Sequence, residues 1–231
     1  MHVFRFRYHG DGIGQPPHSC GERSFSLRYN KAPMQPQPIV ATPGPPARVY
    51  IVFTAEIIPQ TVEPLIQACA NLAQQRIPEV YLAISTPGGQ VPSGIALYNF
   101  LLGMPFRLIV HNIGNVDSIG NAVFLAGAER YACAQSTFMF HGVGFDTKAA
   151  RFEEKMLREM LAGLLADQQR IAAVVAGKTN MNADEIEGFF REGQTKTAEF
   201  ARERGIVNEV REFHLPPGAP VISFVFQRQG V

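Results

Sequence analysis

Two adjacent glycines follow a run of residues that is typical of a buried strand. Residues 80–84 are rich in β-branched, aromatic and aliphatic side chains, and the chain then passes through Ser85-Thr86-Pro87 into Gly88-Gly89. Paired glycines let the backbone turn with positive φ and bring amide N–H groups close to a ligand. At the end of a parallel strand, such amides can hold the oxyanion of an acyl-transfer intermediate. Taken alone, Gly88-Gly89 is more simply interpreted as a plain turn.

A serine lies at a second predicted strand end. Ser118 follows Asn115-Val116-Asp117 and precedes the small residues Gly120 and Ala122. Between a strand and a helix, a serine hydroxyl lies beside free amides at the positive end of the helix dipole, which suits a nucleophile. The segment resembles half of a nucleophile elbow, although Val116 replaces the first glycine of GxSxG. A helix cap is the more ordinary role for this serine.

A histidine ends a third apolar stretch. His141 follows Phe138-Met139-Phe140 and opens the glycine-rich residues 142–144. An imidazole titrates near neutral pH, so His141 is the natural general base for a serine, and a structural role at a strand edge is the alternative. His111 follows the predicted strand 108–110 and is interpreted as a core or rim residue. The other histidines lie toward the chain ends and are weaker candidates.

Strands that alternate with helices are expected to position these residues. From residue 49 the pattern of apolar strands and amphipathic helices predicts a parallel α/β sheet. The predicted strands are 49–53, 80–84, 108–110, 130–133, 137–140 and 221–226. The predicted helices are 61–75, 93–102, 118–128, 151–177, 183–190 and 197–204, with Asn182 as a cap. The helix at 151–177 carries a long apolar stripe that is expected to lie in the core or to need a partner.

Composition limits the classes of protein to consider. The 231 residues are 46% apolar, which supports a sizeable core, and the net charge of +1 gives no argument for a nucleic-acid partner. No apolar run reaches the roughly 18–20 residues of a membrane span, and the first residues lack the apolar run of a secretory signal. Cys20, Cys69 and Cys133 lie far apart, which predicts no disulfide framework, no metal site and a cytoplasmic location. No cofactor is predicted.

The chain is predicted to have three parts. Residues 1–47 are rich in Pro and Gly and form a mobile arm, residues 48–212 form the folded domain, and residues 213–231 form a tail with a strand-like segment. Translation from Met34 would remove part of the arm and is an open alternative.

The order of these motifs resembles the proteolytic subunit of the Clp protease family (ClpP), within the ClpP/crotonase superfamily. The segments that carry the resemblance span residues 49–210. They are Ser85-Thr86-Pro87-Gly88-Gly89, Asp117-Ser118-Ile119-Gly120, Phe138-Met139-Phe140-His141, and Thr197-Ala198-Glu199 followed by Gly205-Ile206-Val207-Asn208. The resemblance implies an α/β fold built as a spiral of β-β-α units, with a protruding handle helix at 151–177.

The same resemblance implies a serine peptidase. Ser118 would be the nucleophile and His141 the general base, with the amides of Gly89 and Ile119 as the oxyanion hole. The resemblance also implies that Gln90 and Val91 hold a peptide or unfolded protein substrate as an added strand. It further implies homo-oligomeric rings that enclose a chamber and a possible ATPase unfoldase as partner.

The chain departs from the family pattern at the third catalytic residue. Counting twelve positions back from Gly205, where the family has an aspartate, leads to Gly193, which has no side chain. Glu192 and Gln194 flank it, and either could orient the imidazole after a shift of one residue. Asp117 offers another carboxylate, but alternation along the strand predicts that it points elsewhere. The arm also differs from the family's N-terminal pore loops, so docking to an unfoldase stays open.

Three other classes remain open. A non-catalytic ring subunit would need no complete triad. A crotonase-type acyl-CoA enzyme would share the fold and the paired amides, with Asp117 as its carboxylate. A serine–lysine peptidase of the signal-peptide type is disfavoured because no lysine falls in a clear motif.

Overall fold

From residue 48 onward, strands alternate with helices. The computed structural model describes residues 46–144 and 151–225, and apart from residues 46–47 the predicted arm lies outside them. The strands are β1 (Arg48–Thr54), β2 (Glu79–Thr86), β3 (Arg107–Asp117), β4 (Glu129–Ala132), β5 (Thr137–Phe140), β6 (Gln194–Thr197), β7 (Glu209–Val210) and β8 (Val221–Val225). The helices are α1 (Pro59–Gln74), α2 (Val91–Leu102), α3 (Gly120–Phe124), α4 (Glu154–Lys178), α5 (Ala183–Glu192) and α6 (Ala198–Glu203).

The strands form one eight-stranded sheet. Its main path runs β6-β5-β3-β2-β1-β8, and β4 pairs with both β3 and β7. Neighbouring strands are parallel, except that β5 and β6 are antiparallel. The predicted α/β class is therefore confirmed. The site residues predicted at the ends of β2, β3 and β5 meet at one edge of the sheet, because these strands are parallel neighbours.

Strand β3 changes partners along one of its edges. Its first half pairs with β4, and residues 115–117 pair with β5. The buried side chain of Asn112 spans the change: its Nδ2 donates to the Thr137 carbonyl (2.8 Å), and its Oδ1 accepts from the Gly114 amide (3.0 Å). The end of β3 is therefore held beside β5, the strand that leads to His141.

The register between β2 and β3 shifts just before the site. Ile84 pairs with Asn112 but Thr86 pairs with Val116, so β3 carries extra residues at this point. Polar side chains bridge the irregularity, since Ser85 Oγ donates to Asn115 Oδ1 (2.9 Å) and Asn115 Nδ2 donates to the Thr86 carbonyl (3.0 Å). These bonds fix the end of β3 against the strand that carries Gly88-Gly89.

His111 is a core residue on one face of the sheet. Its side chain is fully buried in a small aromatic cluster with Tyr81, Tyr131 and Phe213. Nε2 donates to the Arg211 carbonyl (3.1 Å), and Nδ1 lies 2.7 Å from the Tyr81 hydroxyl, which therefore donates to the neutral ring. Burial lowers the pKa of His111 to about 4. With both ring nitrogens occupied, His111 is not a free base.

Helix α4 is largely exposed despite its length. It spans 25 residues, and only Ile171 and Val175 on it are buried. Leu157, Leu161 and Leu165 recur at intervals of four residues, and each is about half exposed (50%, 56% and 51%). The sequence predicted that this apolar stripe lies in the core or needs a partner. Along the first half of the helix, most of the stripe is exposed.

Several elements differ from the sequence prediction. Helix α3 spans only Gly120–Phe124 rather than 118–128, so Ser118 precedes it by two residues. Strand β3 extends seven residues beyond the predicted 108–110, through polar positions held by the hydrogen bonds above. Strands β6 and β7 were not predicted, because their short sequences QTKT and EV carry no apolar alternation.

Two negative findings apply to residues 46–144 and 151–225. No helix there combines the length and the apolar character that crossing a bilayer requires. No cluster of three or more His, Cys, Asp or Glu side chains there could hold a metal ion.

Candidate active site

One open cavity brings together the three segments that the sequence predicted. It has a volume of about 1070 Å³ and is lined by Gly88 and Gly89, by Ser118 and by His141. Gln90, Val91 and parts of α4 also line the cavity. The cavity is therefore bordered by the ends of β2, β3 and β5, with α4 on another side.

The backbone at Ser118 adopts a left-handed conformation. Its φ is 56°, which is uncommon for a residue with a side chain and costs on the order of 1–3 kcal/mol. The Ser118 amide donates to the Met139 carbonyl (2.8 Å), and the Ser118 carbonyl accepts from Asn121 Nδ2 (3.0 Å). These contacts hold a sharp turn between β3 and α3. The ordinary alternative, a helix cap, does not apply, because Ile119 occupies the N-cap position and no side-chain bond caps the helix.

Small residues make this turn possible. A Cβ added at Gly120 would lie 2.6 Å from Thr86 Cγ2, and one added at Gly88 would lie 2.7 Å from Ser118 Cβ. Both distances are too short for real carbon atoms. The serine turn and the glycine turn are thus in direct contact, as a nucleophile and an oxyanion hole must be.

The Gly88-Gly89 turn is clamped by a neighbouring backbone. Both glycines have positive φ (88° and 147°). The Ile57 amide donates to the Gly88 carbonyl (2.7 Å), and the Gln90 amide donates to the Ile57 carbonyl (2.8 Å). Within the part of the chain that the structure describes, no group accepts the amide hydrogens of Gly89 or Ile119. Of these two donors, Gly89 lines the cavity, whereas Ile119 is fully buried.

Gln90 and Val91 directly follow the clamped turn, and the backbone of Gln90 is hydrogen-bonded there. The Gln90 amide is used by Ile57, and its carbonyl accepts from the Gly94 amide (3.0 Å). Val91 begins α2, and its side chain is 8% exposed. Both residues line the cavity, and their expected role in holding the substrate stays a prediction.

His141 lies immediately after β5 and is exposed to the cavity. A Cβ added at Gly193 would lie 3.8 Å from His141 Cβ, in ordinary van der Waals contact. Position 193, where the resemblance implies an aspartate, thus lies beside the Cβ of His141 and has no side chain. Among the described residues the structure records no hydrogen bond between Ser118 Oγ and His141, a bond that often tightens only when substrate binds.

The two residues that flank Gly193 are engaged elsewhere. The Gln194 amide group donates to the Glu192 carboxylate and accepts from the Lys196 ammonium group. Neither side chain bonds to His141 in the described ranges. Glu192 is exposed on the last turn of α5, and Gln194 begins β6.

Asp117 is a charged group near the site whose role the sequence did not predict. Its half-buried carboxylate accepts from Asn115 Nδ2 (2.5 Å). Burial raises the pKa of Asp117, while the bond from Asn115 and the charge of His141 lower it. The sequence prediction that Asp117 points away from the site stays a prediction, since Asp117 is not among the residues that line the cavity.

The fold and the cavity define an α/β protein with a serine, a histidine and two unpaired amides beside one cavity. A family model described as "Clp protease" matches residues 47–214. The chain therefore belongs to the Clp protease family. It is a Clp-type protease or a Clp-like subunit, and the match favours this interpretation over the acyl-CoA alternative.

Two individual proteins illustrate the relationship. The ATP-dependent Clp protease proteolytic subunit 1 of Leifsonia xyli subsp. xyli is 24% identical over 140 residues, which cover 58% of this chain and 68% of that protein. The solved structure of a ClpP1 mutant from Listeria monocytogenes aligns with a TM-score of 0.64 and 19% identity, covering 71% of this chain and 91% of that one. At this identity the second match shows the fold alone.

Proposed function

We propose that this chain is a serine peptidase of the Clp type, with Ser118 as nucleophile and His141 as general base. The observation that carries the proposal is the strained, left-handed Ser118, which lies against Gly88 in the cavity that His141 also lines. A strained turn at a strand end is a common way to present a nucleophile. An ordinary cap or loop serine would need neither the strain nor the glycine contact.

The proposed reaction follows from these groups. Ser118 Oγ attacks the peptide carbonyl carbon while His141 takes the hydroxyl proton, and the oxyanion accepts hydrogen bonds from the Gly89 and Ile119 amides. His141 then gives the proton to the leaving amine, and the C–N bond breaks to leave an acyl-enzyme. Water, deprotonated by His141, attacks the ester and releases the acid, and the proton returns to Ser118.

The proposed setting is an oligomeric chamber that admits peptides or unfolded chains. The half-exposed leucines of α4 support this proposal, because such a stripe is buried most simply against another subunit. Family membership makes homo-oligomeric rings the expected assembly, and an ATPase unfoldase remains a possible partner. A cytoplasmic location rests on the cysteine pattern alone.

A second candidate function is favoured by one observation. Gly193 supplies no carboxylate beside His141, and loss of a triad member can cost several orders of magnitude in rate. A non-catalytic subunit that assembles with an active relative would tolerate this loss. It would form oligomers but would not react with an active-site probe.

Labelling with a fluorophosphonate probe, followed by mass spectrometry, tests the proposal. The expected result is one adduct per chain on the peptide that contains Ser118, because only an activated serine attacks the phosphorus at an appreciable rate. Prior denaturation of the chain should prevent the reaction. Intact oligomers that take no label would instead support the non-catalytic subunit.

Replacing Gly89 with alanine is expected to lower kcat for a short fluorogenic peptide by about 10²–10³, the loss typical of one oxyanion-hole donor. The added Cβ would overlap the Ile57 carbonyl oxygen, and the φ of 147° disfavours any side chain, so the turn and its amide must move. Gly144→Ala is the matched control, because Gly144 lines the same cavity and, among the described residues, its Cβ would meet no atom within 4 Å. Equal rates for the two variants would remove the Gly89 amide from the mechanism.

A further inference from the structure

The imidazole of a serine peptidase works best with an acidic partner, and position 193 supplies none. The carboxylate partner holds the ring and stabilises the imidazolium that forms during the reaction. Gly193 has no side chain, while Glu192 and Gln194 bond to each other and Gln194 also bonds to Lys196. If His141 acts as proposed, its acidic partner must come from another element.

Pairing between β3 and β5 brings Asp117 close to His141. Asp117 is opposite Met139 in the parallel register, and the next residue, Ser118, donates its amide to the Met139 carbonyl (2.8 Å). Adjacent strands lie about 4.8 Å apart, and His141 follows Met139 by two residues. Since directly paired residues share a face, Asp117 and Met139 lie on one face of the sheet, and His141 follows the end of β5 two residues after Met139.

The Asp117 carboxylate is held in place but not neutralised. Oδ2 accepts from Asn115 Nδ2 (2.5 Å), and Asn115 is itself fixed by Ser85 and the Thr86 carbonyl. In the two described ranges, Asp117 forms no ion pair within 4.0 Å with a lysine, with an arginine or with His141. A half-buried carboxylate without a cationic partner is costly to keep charged, as the burial-raised pKa of Asp117 indicates. The charge of His141 lowers the pKa of Asp117 and so offsets part of this cost.

We propose that Asp117 is the acidic positioning residue for His141 and replaces the carboxylate that is missing at position 193. This inference rests on the proposed function. When His141 takes the Ser118 proton, the Asp117 charge favours the imidazolium. Asn115, which bonds to Ser85 and to the Thr86 carbonyl on β2, fixes the carboxylate. The support for His141 therefore comes from β3, the strand that precedes the nucleophile, rather than from the loop after α5.

Other charged groups near His141 have separate partners or positions. Glu56 and Asp167 line the same cavity, and Asp167 pairs with Arg170 on α4. Glu192 and Lys196 flank Gly193 on the remaining side and are bridged by Gln194. Variants must therefore separate the effect of Asp117 on the pH–rate profile from the effects of these other groups.

The test compares pH–rate profiles of Asp117→Asn and the unaltered chain on a fluorogenic peptide. Asparagine keeps the size and the oxygen that accepts from Asn115, but removes the charge. We expect kcat to fall about tenfold to a hundredfold with little change in KM. A nearby negative charge favours the protonated base, so its removal should move the acidic limb of the kcat/KM profile to lower pH.

Controls separate this role from a structural one. Asp117→Ser should give the same shift of the limb, while Glu192→Gln and Gln194→Ala should leave both kcat and the profile unchanged. An Asn variant with unaltered kcat and profile, or with lower kcat and an unmoved limb, would overturn the role of Asp117. A chain that takes no fluorophosphonate label and cleaves no peptide overturns the proposed function itself, which is a different result.

Discussion

Replacing Ser118 with alanine is expected to lower kcat for a fluorogenic peptide by a factor on the order of 10⁶, to the background rate, and to abolish fluorophosphonate labelling. The variant removes the only atom that forms the acyl bond. Alanine tolerates the left-handed turn about as well as serine does, so the turn should keep its shape. Thermal unfolding and sizing of the oligomer should therefore match the unaltered chain.

The matched control for this variant is Ser93→Ala. Ser93 is half-buried on α2, two residues after the cavity-lining Val91, and no hydrogen bond of its hydroxyl within the described residues would be lost. It should keep both the label and the activity. An adduct that persists in Ser118→Ala, on whichever residue mass spectrometry identifies, would exclude Ser118 as the nucleophile.

Replacing His141 with alanine is expected to lower kcat by a factor on the order of 10³ or more, because the serine loses the group that takes its proton. The pH dependence near neutrality should also disappear from the residual rate. Since His141 is exposed to the cavity, added imidazole can reach the vacated space and should restore part of the activity in proportion to its concentration.

His214→Ala is the control, since His214 is exposed and lies outside the cavity. It should retain the full rate, and imidazole should have no effect on it. A His141→Ala variant with near-normal hydrolysis would show that another group accepts the proton. Loss of activity without rescue, together with a lowered unfolding temperature, would assign His141 a structural role instead.

The sequence predicted the fold class and the segments that meet at the cavity. Strand–helix alternation was sufficient for the class, and the glycines, Ser118 and His141 each follow an apolar strand that the structure contains. Asn182 was also predicted as a cap, and its Oδ1 accepts from the Glu185 amide (2.9 Å). These features depend on local pattern and on parallel strand ends meeting at one edge, which sequence reasoning can capture.

The polar end of β3 could not be predicted in the same way. Its strand character depends on Asn112 and Asn115, whose side chains bond to backbone and side-chain groups of other strands. Such bonds leave no apolar alternation in the sequence. The register that sets Asp117 opposite Met139 could not be predicted for a related reason, since it depends on which strands pair.

The pairing of β8 with β1 has a consequence for the order in which the chain folds. Tyr50 is opposite Val221 and Thr54 is opposite Val225. One edge of β1 therefore stays unpaired until a strand about 170 positions later in the chain has been made. During synthesis, β1 can pair with β2 early, but its other flank stays uncovered until residue 225 has emerged from the ribosome. Contacts of such high sequence separation slow folding. Completion of this sheet is therefore a late step in folding, and until then one edge of β1 is open to pairing with another chain.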